Sequence, residues 1–181
     1  MRMTVSDEDL ALQAGDGDRE AFSSLLHRHY DRLFALAFRL TGQQTEAEDL
    51  TQDICAALPR KLGGFRGEAR FSTWLYRVAV NAAHDRRRRA ATHGKASEGW
   101  GDWEQNRRAA DAEDAEDVRW LRAAMSHLSE DLRDTLALTL DHEMTQGEAA
   151  KVLGVSEGTV AWRMSEVKKR LKEMHQEEMG G

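Results

Sequence analysis

The segment from residue 65 to residue 89, FRGEARFSTWLYRVAVNAAHDRRRR, carries two side-chain stripes at the spacing of an α-helix. The first stripe is apolar, as on a helix face that packs inward, and comprises Phe71, Trp74, Leu75, Val78 and Ala82. The second stripe is polar, lies on the opposite side, and comprises Arg70, Thr73, Arg77, Asn81, His84 and Arg88. The segment therefore predicts a helix with one buried face and one exposed polar face.

The polar stripe has the chemistry that nucleic-acid contact needs. A guanidinium group such as that of Arg77 binds phosphates, and the Asn81 amide can pair with base edges. Taken alone, the stripe fits a solvated helix face equally well. Features elsewhere in the chain are needed to distinguish a nucleic-acid surface from a solvated face.

The composition favours an all-α protein. The 181 residues include one proline, 32% of them are charged, and strand signals are nearly absent. The single cysteine, Cys55, excludes an internal disulfide and a multi-cysteine zinc site. Neither an apolar leader nor a membrane-spanning run is evident, so the sequence predicts a soluble, cytoplasmic protein without membrane insertion.

Charge is distributed unevenly along the chain. The net charge of -6 disfavours DNA binding, because lysine and arginine are needed to neutralise phosphates. Residues 60–89, however, hold nine basic residues against two acids, whereas residues 98–117 hold eight acids against two arginines. The local field governs what a surface attracts, so residues 60–89 can still bind nucleic acid. Trp100 and Trp103 are unusual in an acidic segment, and docking on this chain or on a partner would explain them.

The helical patterns predict two small helical domains joined by a flexible acidic linker. Residues 1–92 form the first domain, 93–115 the linker, 116–175 the second domain and 176–181 a tail. Within the first domain, the third helix is predicted at about residues 46–58, after a capping box of Thr45 and Glu48. Pro59 is expected to end its regular pattern.

Residues 145–170, TQGEAAKVLGVSEGTVAWRMSEVKKR, predict two helices joined by a tight turn. The capping, small and turn-forming residues stand at the positions that a helix-turn-helix requires: Thr145, Glu148, Ala150, Gly154, Ser156 and Val160. An ordinary helical hairpin is the alternative. In a helix-turn-helix the second helix enters the major groove with its N-terminal residues nearest the bases. Candidate base contacts are Ser156, Glu157, Thr159, Trp162, Arg163 and Glu166, and Lys169 is a candidate phosphate contact.

Two pairs of segments resemble regions two and four of the extracytoplasmic-function (ECF) sigma factors of bacterial RNA polymerase. The pairs are AEDLTQDI with GGFRGEARFSTWLYRVAVNAAHDRRRR, and LSEDLRDTLAL with MTQGEAAKVLGVSEGTVAWRM. The resemblance covers nearly all of the chain except the linker and the tails. It implies a transcription initiation factor, not an enzyme, that needs no cofactor or metal. Such a factor directs core polymerase to promoters, assists DNA opening and is commonly controlled by a cognate anti-sigma factor.

The resemblance assigns residues of this chain to three surfaces. It implies that Asp49, Leu50, Gln52, Asp53 and Ile54 dock the clamp coiled coil of the largest polymerase subunit, with burial of Leu50 and Ile54 in the core as the alternative. It implies that the minus-ten element is read by Phe65, Arg66, Arg70, Phe71, Thr73, Arg77, Asn81, His84 and Arg88. It also implies that the helix-turn-helix candidates named above bind the minus-thirty-five element. The chain departs from the family pattern at Pro59, Ala161, Trp162 and Glu166.

A stand-alone helix-turn-helix regulator is the alternative function. It accounts for residues 145–170 but leaves the two-striped segment and the acidic residues near Asp49 unexplained. An enzyme is disfavoured, because the sequence has no phosphate-binding loop, carboxylate cluster or metal-ligand spacing. For Cys55, a small core residue is favoured over a redox switch.

Overall fold

The computed structural model describes residues 4–93, 116–140 and 144–181, which contain α-helices and no β-strand. The N-terminal domain consists of α1 (Asp7–Gly15), α2 (Arg19–Thr41), α3 (Gln44–Lys61) and α4 (Phe71–Thr92). The C-terminal domain consists of α5 (Glu116–Ser126), α6 (Glu130–Thr139), α7 (Gln146–Leu153) and α8 (Glu157–Met179). The predicted all-α fold with two helical domains is confirmed. Nearly all of the predicted linker, including Trp100 and Trp103, lies outside the described residues.

Side-chain caps fix the starts of the first two helices. The Ser6 hydroxyl accepts a 3.1 Å hydrogen bond from the Asp9 amide, and Asp18 accepts two from the first turn of α2. Gly42 ends α2 in the left-handed conformation with φ of 70°, which glycine adopts without strain. His29, buried on α2, lies 2.8 Å from the Asp7 carboxylate and ties α1 to α2.

The third helix differs from the prediction at both ends. It begins after Gln43, and no side chain caps it, so the expected capping box of Thr45 and Glu48 is wrong. It also continues through Pro59 to Lys61. Leu58 and Leu62 are both buried on either side of the proline, and we infer that this packing outweighs the hydrogen bond that proline cannot donate.

Leucines and an aromatic cluster form the core of the N-terminal domain. Leu36, Leu50 and Leu75 are almost completely buried where α2, α3 and α4 meet. Phe65 and Phe71 meet edge to face with their ring centroids 5.9 Å apart, and Trp74 packs against both rings. The loop before α4 is therefore anchored to the domain through Phe65.

The predicted helix-turn-helix is present in α7 and α8. Thr145 and Glu148 form a complete capping box, Gly154 ends α7 with φ of 68°, and Ser156 caps α8. Val160 of α8 is fully buried, which fixes the second helix against the first.

The second helix of the motif is longer than predicted. It extends to Met179 and so includes most of the expected tail, residues 176–181. Val167, on this helix, is buried in an apolar cluster with α5 and α6. The other buried members of this cluster are Met125, Leu128, Leu132 and Leu136.

The two domains pack directly against each other. Helix α2 contacts α6, and α4 contacts α7. The Arg39 side chain donates a 2.9 Å hydrogen bond to the Ala137 carbonyl, and the Arg122 guanidinium lies 4.7 Å from the centre of the Phe38 ring. The N-terminal core is continuous with buried residues of the C-terminal domain, namely Ala137, Leu138, Met144, Ala149, Ala150, Val152 and Val160.

Candidate polymerase and nucleic-acid interfaces

The predicted minus-ten surface is exposed only in part. Its exposed members are Arg66, Arg70, Arg77, Asn81 and Arg88. Arg77 and Asn81 lie one turn apart on α4, with a guanidinium and an amide facing solvent. Arg70, although largely exposed, lies 3.2 Å from the Glu148 carboxylate at the start of α7. The C-terminal domain therefore already contacts one end of this surface.

Three predicted minus-ten residues are buried. Phe65 and Phe71 belong to the aromatic cluster of the domain core, and Thr73 is also buried. The prediction of base contacts by these three side chains is not compatible with the described arrangement. Thr73 shares a helical face with Tyr76, Val80 and Ala83, which are also buried, so its assignment to the exposed polar face is wrong.

His84, another predicted minus-ten residue, contacts the C-terminal domain. Its Nε2 lies 2.8 Å from the carboxylate of Asp134 on α6, whose side chain is only 2% exposed. This hydrogen bond raises the pKa of His84 above its ordinary value. Burial alone would raise the pKa of Asp134, but the hydrogen bonds from His84 and Arg87 outweigh burial and lower it.

Arg87 completes a charged cluster between the domains. Both of its terminal nitrogens donate 3.0 Å hydrogen bonds to Asp134, one of them also donates to Glu130 at 2.6 Å, and the other donates to the Leu40 carbonyl at 2.8 Å. One guanidinium thus joins α4, α2 and α6. We call His84, Arg87, Glu130 and Asp134 the interdomain cluster.

The sequence patterns do not predict the interdomain cluster. Arg87 is one of four consecutive arginines, Arg86 to Arg89, and nothing in the sequence distinguishes it from its neighbours. One sequence signal was available: Asp134 lies between Leu132 and Leu136, which are both buried. A carboxylate buried among such residues needs a charged partner. Oxygen and nitrogen atoms of His84, Glu130 and Asp134 lie within 4.8 Å of one another, but the Arg87 guanidinium already binds both carboxylates. The described geometry is therefore that of an ion-pair network.

The predicted polymerase-docking residues divide into an exposed set and a buried set. Asp49, Gln52 and Asp53 are exposed on α3 and form an acidic face. Leu50 and Ile54 are buried in the core, so the alternative given for these two residues is the arrangement observed. Their side chains anchor α3 in the core and are not part of its exposed surface.

Arg86 connects this acidic face to α4. Its guanidinium lies 2.9 Å from Glu46 and 2.8 Å from Asp53. Burial opposes the charge of Arg86, but the two carboxylates outweigh burial and raise the pKa of the guanidinium. Asp49 and Gln52 remain available beside this pair.

The second helix of the helix-turn-helix presents an unusual face to solvent. Trp162 is 63% exposed, and Lys169 is also exposed. The Arg163 side chain is only 15% exposed and lies 3.8 Å from Asp131. Glu166 pairs with Arg170 at 3.2 Å. The remaining candidates lie at the N-terminal end of α8, where Ser156 and Glu157 are exposed and Thr159 is half-buried.

Cys55 is half-buried on α3, and burial raises the pKa of its thiol. A raised pKa disfavours the reactive thiolate, so this environment favours a packing role over redox sensing. None of the described helices is both long and apolar enough to span a bilayer.

Sequence comparison places both domains in one class of protein, the sigma-70 type transcription initiation factors. Residues 25–92 match Sigma-70 region 2, and residues 118–171 match Sigma-70, region 4. The chain is 35% identical to the ECF RNA polymerase sigma factor SigM of Mycobacterium tuberculosis, over 92% of this chain and 83% of that protein. It is 29% identical to the RNA polymerase sigma-H factor of Pseudomonas aeruginosa, over 87% and 88% of the two chains. The chain belongs to the ECF sigma factors.

Solved structures have the same fold. The sigma factor CnrH, solved in complex with the cytosolic domain of CnrY, matches with a TM-score of 0.70 and 28% identity, over 94% of this chain and 97% of that one. RpoE of Bartonella quintana, solved in complex with the anti-sigma factor NepR, matches with a TM-score of 0.70 over 87% and 98% of the two chains. At 22% identity, the second likeness concerns the fold alone.

Proposed function

We propose that this ECF sigma factor directs core RNA polymerase to promoters through three separate surfaces. The acidic face of α3 docks the clamp coiled coil of the largest subunit. The exposed part of α4 and the loop before it bind the minus-ten element and assist its opening, and α8 binds the minus-thirty-five element. Membership of the family supports this division, because regions 2 and 4 coincide with the two domains. The protein acts in the cytoplasm with the polymerase and is a binding factor, not an enzyme.

The docking surface rests on Asp49, Gln52 and Asp53. These side chains are exposed while Leu50 and Ile54 hold α3 in the core, so the helix is rigid and its acidic face is fixed. A fixed row of carboxylates and an amide complements a basic helical partner. Asp53 already accepts from Arg86, which shows that a guanidinium can be bound at this face.

The observation that carries the minus-ten assignment is the exposure of Arg77 and Asn81 on a helix whose opposite face is locked in the core. Rigid support lets a guanidinium hold the backbone while an amide one turn away pairs with a base edge. Arg66 adds a second cation in the preceding loop. Phe65 and Phe71 are packed in the core and supply no stacking surface in this arrangement.

The interdomain contacts imply that promoter binding requires the domains to separate. Arg70 and His84, two members of the minus-ten surface, are bound by Glu148 and Asp134 of the C-terminal domain. DNA cannot use these side chains while the carboxylates hold them. We propose a cognate anti-sigma factor as a further partner, since RpoE, which has the same fold, was solved in complex with the anti-sigma factor NepR.

In-vitro transcription with core polymerase over a promoter library tests this function, with two variants that separate its steps. Asn81→Ala should reduce open-complex formation, measured by permanganate reactivity of unpaired thymines, while binding to core polymerase is retained. Asp49→Lys should weaken binding to core polymerase. Glu178→Lys, an equal charge reversal at the exposed end of α8, is the control and should behave as the wild type.

The same experiment also tests the alternative function, that of a stand-alone helix-turn-helix regulator. A stand-alone regulator would bind duplex DNA without associating with core polymerase, and that result would overturn the proposed function. Unchanged promoter opening by Asn81→Ala would remove only Asn81 from the minus-ten surface.

A further inference from the structure

Trp162 is a large apolar side chain in contact mainly with solvent. It lies in the second turn of α8, at 63% exposure. Val160 and Val167, two turns apart on the same helix, are both buried and fix its rotation about its axis. At 3.6 residues per turn, Trp162 lies about 200° around the helix from Val160 and points away from the domain. The exposure is therefore imposed by the packing of the motif.

The residues around Trp162 leave the indole prominent. Gly158, Ala161 and Ser165 are all small and exposed, and they lie four residues before, one before and three after the tryptophan. Residues three or four apart are neighbours on a helix surface, so Gly158 and Ser165 lie beside the tryptophan, whereas Ala161 lies about 100° around the axis. The other two neighbours at this spacing, Thr159 and Glu166, are half-buried. The indole thus projects beyond the small side chains beside it, which suits insertion into a groove about 12 Å wide.

The two charged side chains that flank Trp162 on its C-terminal side, Arg163 and Glu166, both lie in ion pairs. Arg163 is mostly buried beside Asp131, and Glu166 is paired with Arg170. The Glu157 carboxylate lies near Gly147 in the first turn of α7. Ser156 uses its hydroxyl on the Thr159 amide. No unengaged guanidinium is present in these two turns to read guanine in the usual bidentate manner.

We propose that Trp162 is a specificity-determining residue that reads thymine in the minus-thirty-five element through contact of its indole with the C5 methyl group. This inference rests on the proposed role of α8 in binding that element. In the major groove, only thymine among the four bases presents a methyl group, and apolar side chains recognise it by burying it. The lysines that follow, Lys168, Lys169 and Lys172, are exposed and supply phosphate contacts without sequence preference.

Replacement of single thymines by deoxyuridine tests the inference, because it removes the methyl group and leaves base pairing intact. The probes are promoter duplexes selected from a random library by the wild-type holoenzyme, with each upstream thymine replaced in turn. At one or two positions, uracil should weaken binding of the wild-type holoenzyme about fourfold, as expected for the burial of one methyl group. Trp162→Ala should bind the thymine and uracil duplexes equally, and Trp162→Phe should keep part of the preference.

The outcomes distinguish this inference from the function on which it rests. Tyr30→Ala removes an exposed aromatic ring on α2 and should keep the full thymine preference. If Trp162→Ala also keeps it, or if no uracil position affects the wild type, the role of Trp162 is overturned and the sigma function stands. If the holoenzyme selects no upstream element at all, both the role of α8 and that of Trp162 are overturned.

Discussion

Arg87 shows how one side chain can bind together parts of a chain that are distant in sequence. The Asp134 carboxylate is almost wholly removed from water, and a buried carboxylate is stable only when charged donors surround it. Arg87 and His84 provide three such hydrogen bonds from α4. The neighbouring Arg88 is mostly exposed and, among the residues that the structure describes, its ion pair is with Asp85 of the same helix.

This difference predicts unequal effects for two adjacent arginines. Arg87→Ala should lower the free energy of unfolding by up to about 3 kcal/mol, because it leaves Asp134 buried with one donor. Arg88→Ala should change the free energy of unfolding by less than about 0.5 kcal/mol, as is usual for an exposed ion pair. Urea denaturation followed by circular dichroism measures both. Equal effects of the two substitutions would contradict the role given to Arg87.

At the scale of helices, local signals predict the ends that depend on local chemistry. The caps at Thr145, Gly154 and Ser156 are predicted correctly, because a cap needs only a few neighbouring residues. The start of α3 and its continuation past Pro59 are not predicted correctly, because they depend on tertiary packing. The striped segment shows the same limit. Spacing predicts that Trp74, Val78 and Ala82 pack inward, but these residues are half-buried, whereas Tyr76, Val80 and Ala83 are buried. Spacing also does not reveal the contact of His84 with Asp134 of the other domain.

Two threonines in similar sequence contexts provide a test of this distinction. Thr145 caps α7, with its hydroxyl 3.1 Å from the Glu148 amide, whereas Thr45 lies inside α3 and caps nothing. Thr145→Ala should destabilise the protein by about 1 kcal/mol, the usual cost of losing an N-terminal cap. Thr45→Ala should be neutral within about 0.5 kcal/mol. Thermal unfolding of the two variants in parallel measures the difference, and a larger loss for Thr45→Ala would show that the capping assignment is wrong.

At the scale of the whole molecule, the C-terminal domain, which we propose to bind DNA, also packs against α4. The interface combines an apolar core around Ala149 and Val152 with the interdomain cluster. Apolar burial holds the domains together at any pH, whereas the cluster depends on the ionisation of its members. The stability of the closed arrangement therefore changes with pH through His84 and Asp134.

The sign of that change follows from the two pKa shifts. The pKa of His84 is raised from its ordinary value of 6.5, so its contribution is complete below that value and is lost as the pH rises through the raised pKa. The pKa of Asp134 is lowered, so its contribution is lost only when the pH falls below its ordinary value of 3.8. Burial opposes the charge of Arg87, but its hydrogen bonds to Asp134 outweigh burial and raise its pKa, so Arg87 stays charged between pH 6 and pH 9. Burial lowers the pKa of Arg133, but arginine titrates far above this range and Arg133 also keeps its charge.

We therefore expect the closed arrangement to weaken as the pH rises from 6 to 9. Small-angle scattering should show a larger radius of gyration at pH 9, or fluorescence transfer between dyes on the two domains should fall. His84→Gln keeps a hydrogen-bonding side chain but cannot titrate, so its domain separation should be independent of pH over this range. Asp134→Asn should be more open at every pH. Equal pH dependence in the wild type and His84→Gln would assign the change to other groups and remove the interdomain cluster as its cause.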